Sequence, residues 1–322
     1  MLNYPLKFEP VLKEKIWGGN KLTTLFNKKS DRNNIGESWE ISGVPGNISV
    51  VANGELKGKS LNTLLETYKE EILGNKIYRK FGPEFPLLIK YIDAKTALSV
   101  QLHPNDDLAK ARHNSFGKTE MWYIMQGDEG ANINVGFKKT TSKEEYLKSL
   151  HNNQLIDLLH FENVKKGDSV FINTGKVHAI GAGVLLAEIQ QTSDITYRIY
   201  DWDRVDDEGN ARELHTELAL DAIDFERKDD YQLHYSKDEN QSNNLAKCEY
   251  FTTNYIHLTK QLTKNYSSID SFIIYMCISG IAKIEINNNI EKIEAGETIL
   301  IPAQNKEVIL QSEDCELLEV YV

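Results

Sequence analysis

The segment VKKGDSVFINTGKVH at 164–178 returns in pattern as IEAGETILIPAQNKE at 293–307. Gly167 matches Gly296, Asp168 matches Glu297, and the apolar run at 170–172 matches the one at 299–301. Upstream, WYIMQG at 122–127 lines up with YMCISG at 275–280. One glycine–acid turn entering an apolar strand recurs easily by chance; two blocks in the same order mark a duplicated β unit. The gap between the blocks is longer in the first copy, with room for a helix over 142–161 as an insertion. The 322 residues suit two domains. The fold expected is mainly β, two similar units with helical insertions.

Local patterns fill in that frame. Apolar residues recur at helical spacing over 61–81, 142–161 and 215–225. Strands are expected over 37–42, 86–91, 97–102, 121–125, 169–172 and 184–190. The polar stretch RKDDYQLHYSKDENQSNN after Phe225 has the composition of a linker, and from Cys248 onward the chain is almost all β-patterned. This divides the chain into 1–235 and 236–322.

The two copies differ in chemistry. Gln101, His103, Glu120 and His178 supply an amide oxygen, two imidazoles and a carboxylate, a ligand set that suits a borderline divalent ion with one position left open. Strand alternation puts Ser99, Gln101 and, by continuation, His103 on one face, and Lys118, Glu120 and Trp122 on one face of the next element. In the second copy Glu307 stands in place of His178 and Ile273 opposite Glu120, so one copy is expected to bind metal and the other to be structural. Zinc suits the ligands; iron, manganese and cobalt use the same donors, and sequence leaves that choice open.

Charge excludes several partners. A net charge of -11 argues against nucleic acid and anionic membranes, so an anionic substrate would need a local basic cluster working against the global field. The start, MLNYPLKFEP, lacks the pattern of a signal peptide, and no apolar run is long enough to span a bilayer. Cys248, Cys277 and Cys315 follow no CxxC spacing and read as reduced thiols. A cytoplasmic protein, monomeric or weakly dimeric, is expected. His113, His151, His160, His215, His234 and His257 lack motif context, DRVDDEG at 203–209 reads as a solvated turn, and GVPGN at 43–47 as a turn.

Glu120-x6-Gly127 followed by Gly167-Asp168-x4-Asn173-x-Gly175-x2-His178 resembles the two signature motifs of the cupin superfamily, whose fold is a small jelly-roll barrel. Departures are the 16 residues between His103 and Glu120, Asn173 where cupins usually carry proline, and Ala182 where asparagine is common. More narrowly, KIWGG at 15–19, LSVQLHP at 98–104, KTEMWYI at 118–124, TGKVHAIGAG at 174–183 and SDITYRIYDWDR at 193–204 resemble the compact bacterial form of the type I mannose-6-phosphate isomerase family.

The resemblance implies one zinc ion per chain, held by Gln101, His103, Glu120 and His178. It implies interconversion of mannose 6-phosphate and fructose 6-phosphate through a cis-enediol(ate). Arg198 falls at the family's essential arginine, and Lys118, Lys90, Glu188 and Asp194 at active-site positions. Lys118 and Ser99 suit the sugar phosphate by charge and hydroxyl, and Trp17 suits a wall of the cleft. The base stays open among Lys118, Glu188, Asp194 and a metal-bound water. Two rivals remain at this level: an iron-dependent cupin dioxygenase and a non-catalytic sugar-binding cupin.

Overall fold

Six strands carry most of the site, in the order Ser169–Ile172, Glu120–Gly127, Val184–Gln191, Leu87–Ala94, Val11–Gly19 and Ile35–Ile41, with antiparallel pairing throughout. This is a computed structural model describing residues 2–206, 208–229 and 231–322; Asp207 in the acidic turn and Asp230 in the polar stretch lie outside the described residues. The central strands VLLAEIQQ and LLIKYIDA are buried along their whole length. Both faces are covered, which is why these runs read as nearly continuous apolar sequence.

Alternation sorts the two faces. Ile89, Tyr91, Tyr123, Leu185 and Ala187 pack into a core shared with Ile274, Met276, Leu300 and Val320 of the C-terminal strands. Ile92, Trp122, Ile124 and Leu186 turn the other way and meet Leu98, Ile133, Val135 and Ile180. The latter come mainly from a five-stranded sheet in the order Tyr197–Tyr200, Val100–Leu102, His178–Ile180, Asn132–Phe137 and Leu159–Asn163. The site lies between these two sheets.

The duplication is present in register. Ser169 pairs with Tyr123 and Ile172 with Glu120; in the second copy Thr298 pairs with Met276 and Ile301 with Ile273. The turns also agree. Gly167 and Gly296 take φ of +89° and +86°, a region that costs other residues strain. Their amides donate to Ile124 O and Cys277 O, each at 2.9 Å. The acid that follows closes each turn, Asp168 accepting from Lys165 N and Glu297 from Glu294 N, both at 2.9 Å.

Several expectations shift in detail. The helix over 61–81 is three helices, Leu61–Tyr68, Glu70–Leu73 and Asn75–Phe81, because Lys69 and Gly74 between them adopt positive φ. The helical reading over 142–161 holds for Lys143–His151, capped by Ser142, and Leu155–Leu158; residues 159–161 belong to a strand on Asn132–Phe137. Thr216–Leu220 is all that is helical in 215–225.

The polar stretch after Phe225 is no free linker, because Phe171 N and Leu233 N bond Tyr231 O and Ser169 O and so cover the edge strand Ser169–Ile172. Likewise Leu6–Glu9, at the chain's other end, pairs with Thr298–Ile301 and extends the C-terminal sheet, with Val50–Val51 beyond it. Among the described residues no helix is long and apolar enough to cross a membrane.

Candidate metal centre and active site

His178 and Gln101 are paired across adjacent strands of the five-stranded sheet, while Glu120 begins the facing strand Glu120–Gly127. His103 follows the strand Val100–Leu102, and its carbonyl accepts from Gly175 N at 2.8 Å. That bond ties the first ligand segment to the turn preceding the last. The result is a buried cluster of His103, Glu120 and His178 whose candidate ligand atoms lie within 4.8 Å of one another.

The imidazoles are oriented for coordination. His103 Nδ1 lies 2.8 Å from Ile195 O, and His178 Nδ1 lies 2.8 Å from Lys176 O. A carbonyl only accepts, so each Nδ1 carries the proton and each Nε2 keeps its lone pair. Those Nε2 atoms face Glu120, at 3.5 Å from Oε2 for His103 and 3.4 Å from Oε1 for His178. Glu120 Oε1 and His178 Nε2 are buried without a hydrogen-bond partner. Burial, then the Lys118 ammonium, pushes the His178 imidazole down to about 3, and the same two effects lower His103. Both rings are neutral near pH 7, as metal ligation requires. Unpartnered acceptors of this kind, with both rings fixed from behind, fit a divalent cation.

Gln101 joins from the side. Its Oε1 accepts from Ser99 Oγ at 3.3 Å, and with His178 it borders a cavity of about 280 Å³. Glu120 and His103, each 1% exposed, lie deeper. Lys118 is buried beside them, its ammonium bonded to Glu120 Oε2 and 3.1 Å from His103 Nε2. Burial raises the Glu120 carboxyl above the usual range, and Lys118 opposes that rise.

The six-stranded sheet contributes a cross-strand row of Trp122, Glu188, Lys90 and Trp39. Trp122 Nε1 donates to Glu188 Oε1 at 2.9 Å, Lys90 Nζ lies 3.0 Å from Glu188 Oε2, and the same ammonium sits 5.1 Å from the Trp39 ring centroid. Burial alone would raise Glu188, yet Lys90 and Lys118 hold it well below the ordinary carboxylate range. Lys90 is thus a buried partner of Glu188. Trp17 is 3% exposed, packs in the inter-sheet core and borders the cavity; a Cβ at Gly36 would lie 2.6 Å from its ring, so glycine there lets the two strands close.

Arg198 stands on the opposite wall, paired in register with Gln101. Its Nε donates to Ser99 Oγ at 3.2 Å and its Nη1 to Glu213 O at 2.8 Å, which aims the guanidinium along the cavity. Asp194 is exposed at the rim. All the residues singled out from sequence therefore gather at one place.

Others there were missed: Lys13, Lys15, Glu37, Trp39 and Arg212 also line the cavity. A signal existed, since Lys13, Lys15 and Trp17 alternate along one strand, as do Glu37 and Trp39 along its neighbour. His215, set aside earlier, brackets Arg198: its Nδ1 accepts from Arg198 N at 3.1 Å and its amide donates to Arg198 O at 2.7 Å.

Comparison with known proteins agrees with this geometry. Residues 6–130 match the family model of the phosphomannose isomerase type I catalytic domain, and residues 241–322 that of the mannose-6-phosphate isomerase cupin domain. The chain is 35% identical over 305 residues to mannose-6-phosphate isomerase ManA of Bacillus subtilis, covering 94% of each chain. It is 41% identical over 219 residues to a mannose-6-phosphate isomerase of Streptococcus mutans, covering 68% of this chain and 67% of that one. A crystal structure of the mannose 6-phosphate isomerase from Bacillus subtilis superposes with a TM-score of 0.90 at 32% identity, over 99% of this chain and 100% of that chain.

Proposed function

The chain belongs to the type I mannose-6-phosphate isomerase family, and on that premise we propose that it interconverts mannose 6-phosphate and fructose 6-phosphate through a cis-enediol(ate), with zinc as its metal. The observation that carries the reading is the pair of buried imidazoles, each fixed by a carbonyl behind it and aimed at Glu120, at the foot of a cavity bordered by basic side chains. His103, Glu120 and His178 would hold the ion, with Gln101 as the fourth ligand. When bound there, zinc supplies Lewis-acid polarisation of the sugar's carbonyl oxygen.

The chain's own groups do the rest. Removing the C2 proton builds negative charge on oxygen, and the Arg198 guanidinium is a fixed, always protonated donor for that charge. Ser99 holds Arg198 Nε and Gln101 Oε1 at once, so one hydroxyl aligns the cation with the ligand set. Glu188, engaged on both oxygens, keeps Lys90 in place toward the sugar hydroxyls, and Trp17 walls the cleft. Proton movement between C2 and C1 falls to Lys118 at the floor or Asp194 at the rim, both of which line the cavity.

The test is a coupled assay for fructose 6-phosphate formed from mannose 6-phosphate. Conversion by the wild type supports the reading; sugar binding without turnover removes it. The donor set would also suit an iron dioxygenase, and what disfavours that rival is the cation pair Lys118 and Arg198 on the cavity, which suits an anionic sugar.

A further inference from the structure

On the reading that Arg198 meets the charge built on the sugar's oxygen, its backbone must be fixed as well as its guanidinium. The strand that carries it, Tyr197–Tyr200, lies at the edge of the five-stranded sheet. Its register on Val100–Leu102 shifts between Arg198 and Tyr200, so the ladder is interrupted just after the arginine. At such an edge the outward N–H and C=O groups have no strand to pair with.

His215 closes both of them on Arg198. Its amide donates to Arg198 O at 2.7 Å, and its Nδ1 accepts from Arg198 N at 3.1 Å. One residue thus replaces a pairing strand, with a ring nitrogen where the missing carbonyl would be. A backbone N–H only donates, so Nδ1 keeps its lone pair and the neutral ring carries its proton on Nε2. That nitrogen is the one facing the Glu213 carboxylate, at 3.9 Å.

The residue type and its mounting agree with this role. His215 is the N-cap of the helix Thr216–Leu220, a position where Ser, Thr, Asp or Asn bonds the helix's own N–H groups. The His215 side chain makes no such cap bond and turns to Arg198 instead. Its main chain is set from both directions. The fully buried Ala219 donates to His215 O at 2.9 Å. On the other side Arg212 grips the buried Asp201, from Nε at 2.7 Å and from Nη2 at 2.6 Å. Between these anchors Glu213 O accepts from Arg198 Nη1 at 2.8 Å, so residues 213–215 hold the arginine by its backbone and its fork together.

We infer that His215 is a positioning residue for Arg198, its Nδ1 seated on the Arg198 amide so that the guanidinium stands correctly in the cavity. A displacement of about 1 Å can cost up to ~10²-fold in rate, and release of one backbone bond falls short of that ceiling. The measurements are steady-state kinetics with mannose 6-phosphate and hydrogen exchange at the Arg198 amide by NMR. Both use the full, zinc-loaded chain, as wild type, His215→Ala, His215→Gln and His215→Asn.

His215→Ala should lower kcat ~10-fold with KM little changed, and the Arg198 amide should exchange ~10-fold faster. His215→Asn should restore most of both, because its amide oxygen occupies the place of Nδ1. His215→Gln should behave like alanine, since its amide reaches only to the place of Nε2, and it serves as the test if the alanine variant fails to fold. Added to Arg198→Ala, the alanine change should lower kcat no further, as expected of a residue that acts through the arginine. Unchanged kcat and unchanged exchange in folded His215→Ala and His215→Gln overturn the inference, and so does an undiminished further loss in the Arg198→Ala background. Exchange at the Arg198 amide that depends on His215, in a wild-type chain that converts no mannose 6-phosphate, would leave the positioning role standing and remove the isomerase reading.

Discussion

Glu120 Oε1 and His178 Nε2 face each other at 3.4 Å, both buried and neither with a hydrogen-bond partner. Two acceptors turned toward one another in a dry site repel unless a cation lies between them. Glu120→Gln keeps the shape and removes the charge. It should lower zinc affinity by at least ~10²-fold, more than the loss of an outer-shell partner, measured by competition with a chromophoric chelator. Retained affinity would exclude Glu120 as a ligand.

Arg198 is positioned by Ser99 and by the Glu213 carbonyl, so its contribution depends on the fork and its direction as much as on charge. Arg198→Ala should lower kcat by ~10²-fold or more, the scale of losing a fixed oxyanion donor. Arg198→Lys should recover little of it, because an ammonium cannot meet both anchors. Wild-type turnover in Arg198→Ala would remove this residue from the chemistry.

Glu188 predicts how stability changes with pH. Its folded carboxyl is held below the unfolded value by Lys90 and Lys118, against the effect of burial. A depressed carboxylate contributes stability that is fully present above its unfolded pKa of about 4.3 and is lost as pH falls below it. Glu188→Gln also leaves Lys90 buried without its partner, a cost of about 3–5 kcal/mol at pH 7. Denaturant unfolding should show that gap at pH 7 and a smaller one at pH 3; a gap that widens in acid would contradict the assignment.

The repeated turns are equal in conformation and unequal in space. A Cβ on Gly296 would meet Phe26 Cγ at 2.2 Å, whereas one on Gly167 meets the mobile end of Lys237 at 2.7 Å. Both alanine variants carry the strain of positive φ, of order 1 kcal/mol, and Gly296→Ala adds overpacking of about 1–3 kcal/mol. The urea midpoint should therefore drop further for Gly296→Ala than for Gly167→Ala.

Much of this was legible because the signals were local. Gly167-Asp168 and Gly296-Glu297 each specify a turn and the strand after it, and the pairing register follows from their common spacing. His103, Glu120 and His178, which the structure gathers into one buried cluster, could be picked out together with Gln101 because ligand chemistry restricts residue type. Lys13 and Arg212 were not, since a lysine or arginine in sequence looks the same whether it meets solvent or a cavity, and only the meeting of two sheets decides. The break at Lys69 escaped the helical pattern because its positive φ falls on a lysine, with no glycine to announce it, between the buried Leu65 and Ile72. The polar stretch holding Tyr231 looked like a linker by composition, although its backbone bonds an edge strand.

The most direct test measures metal content and isomerisation on the same samples: native protein, chelator-stripped protein, and stripped protein reloaded with zinc. The account predicts a single zinc per chain, and conversion of mannose 6-phosphate that tracks occupancy, lost on stripping and restored on reloading. Full conversion by protein verified free of metal would contradict it.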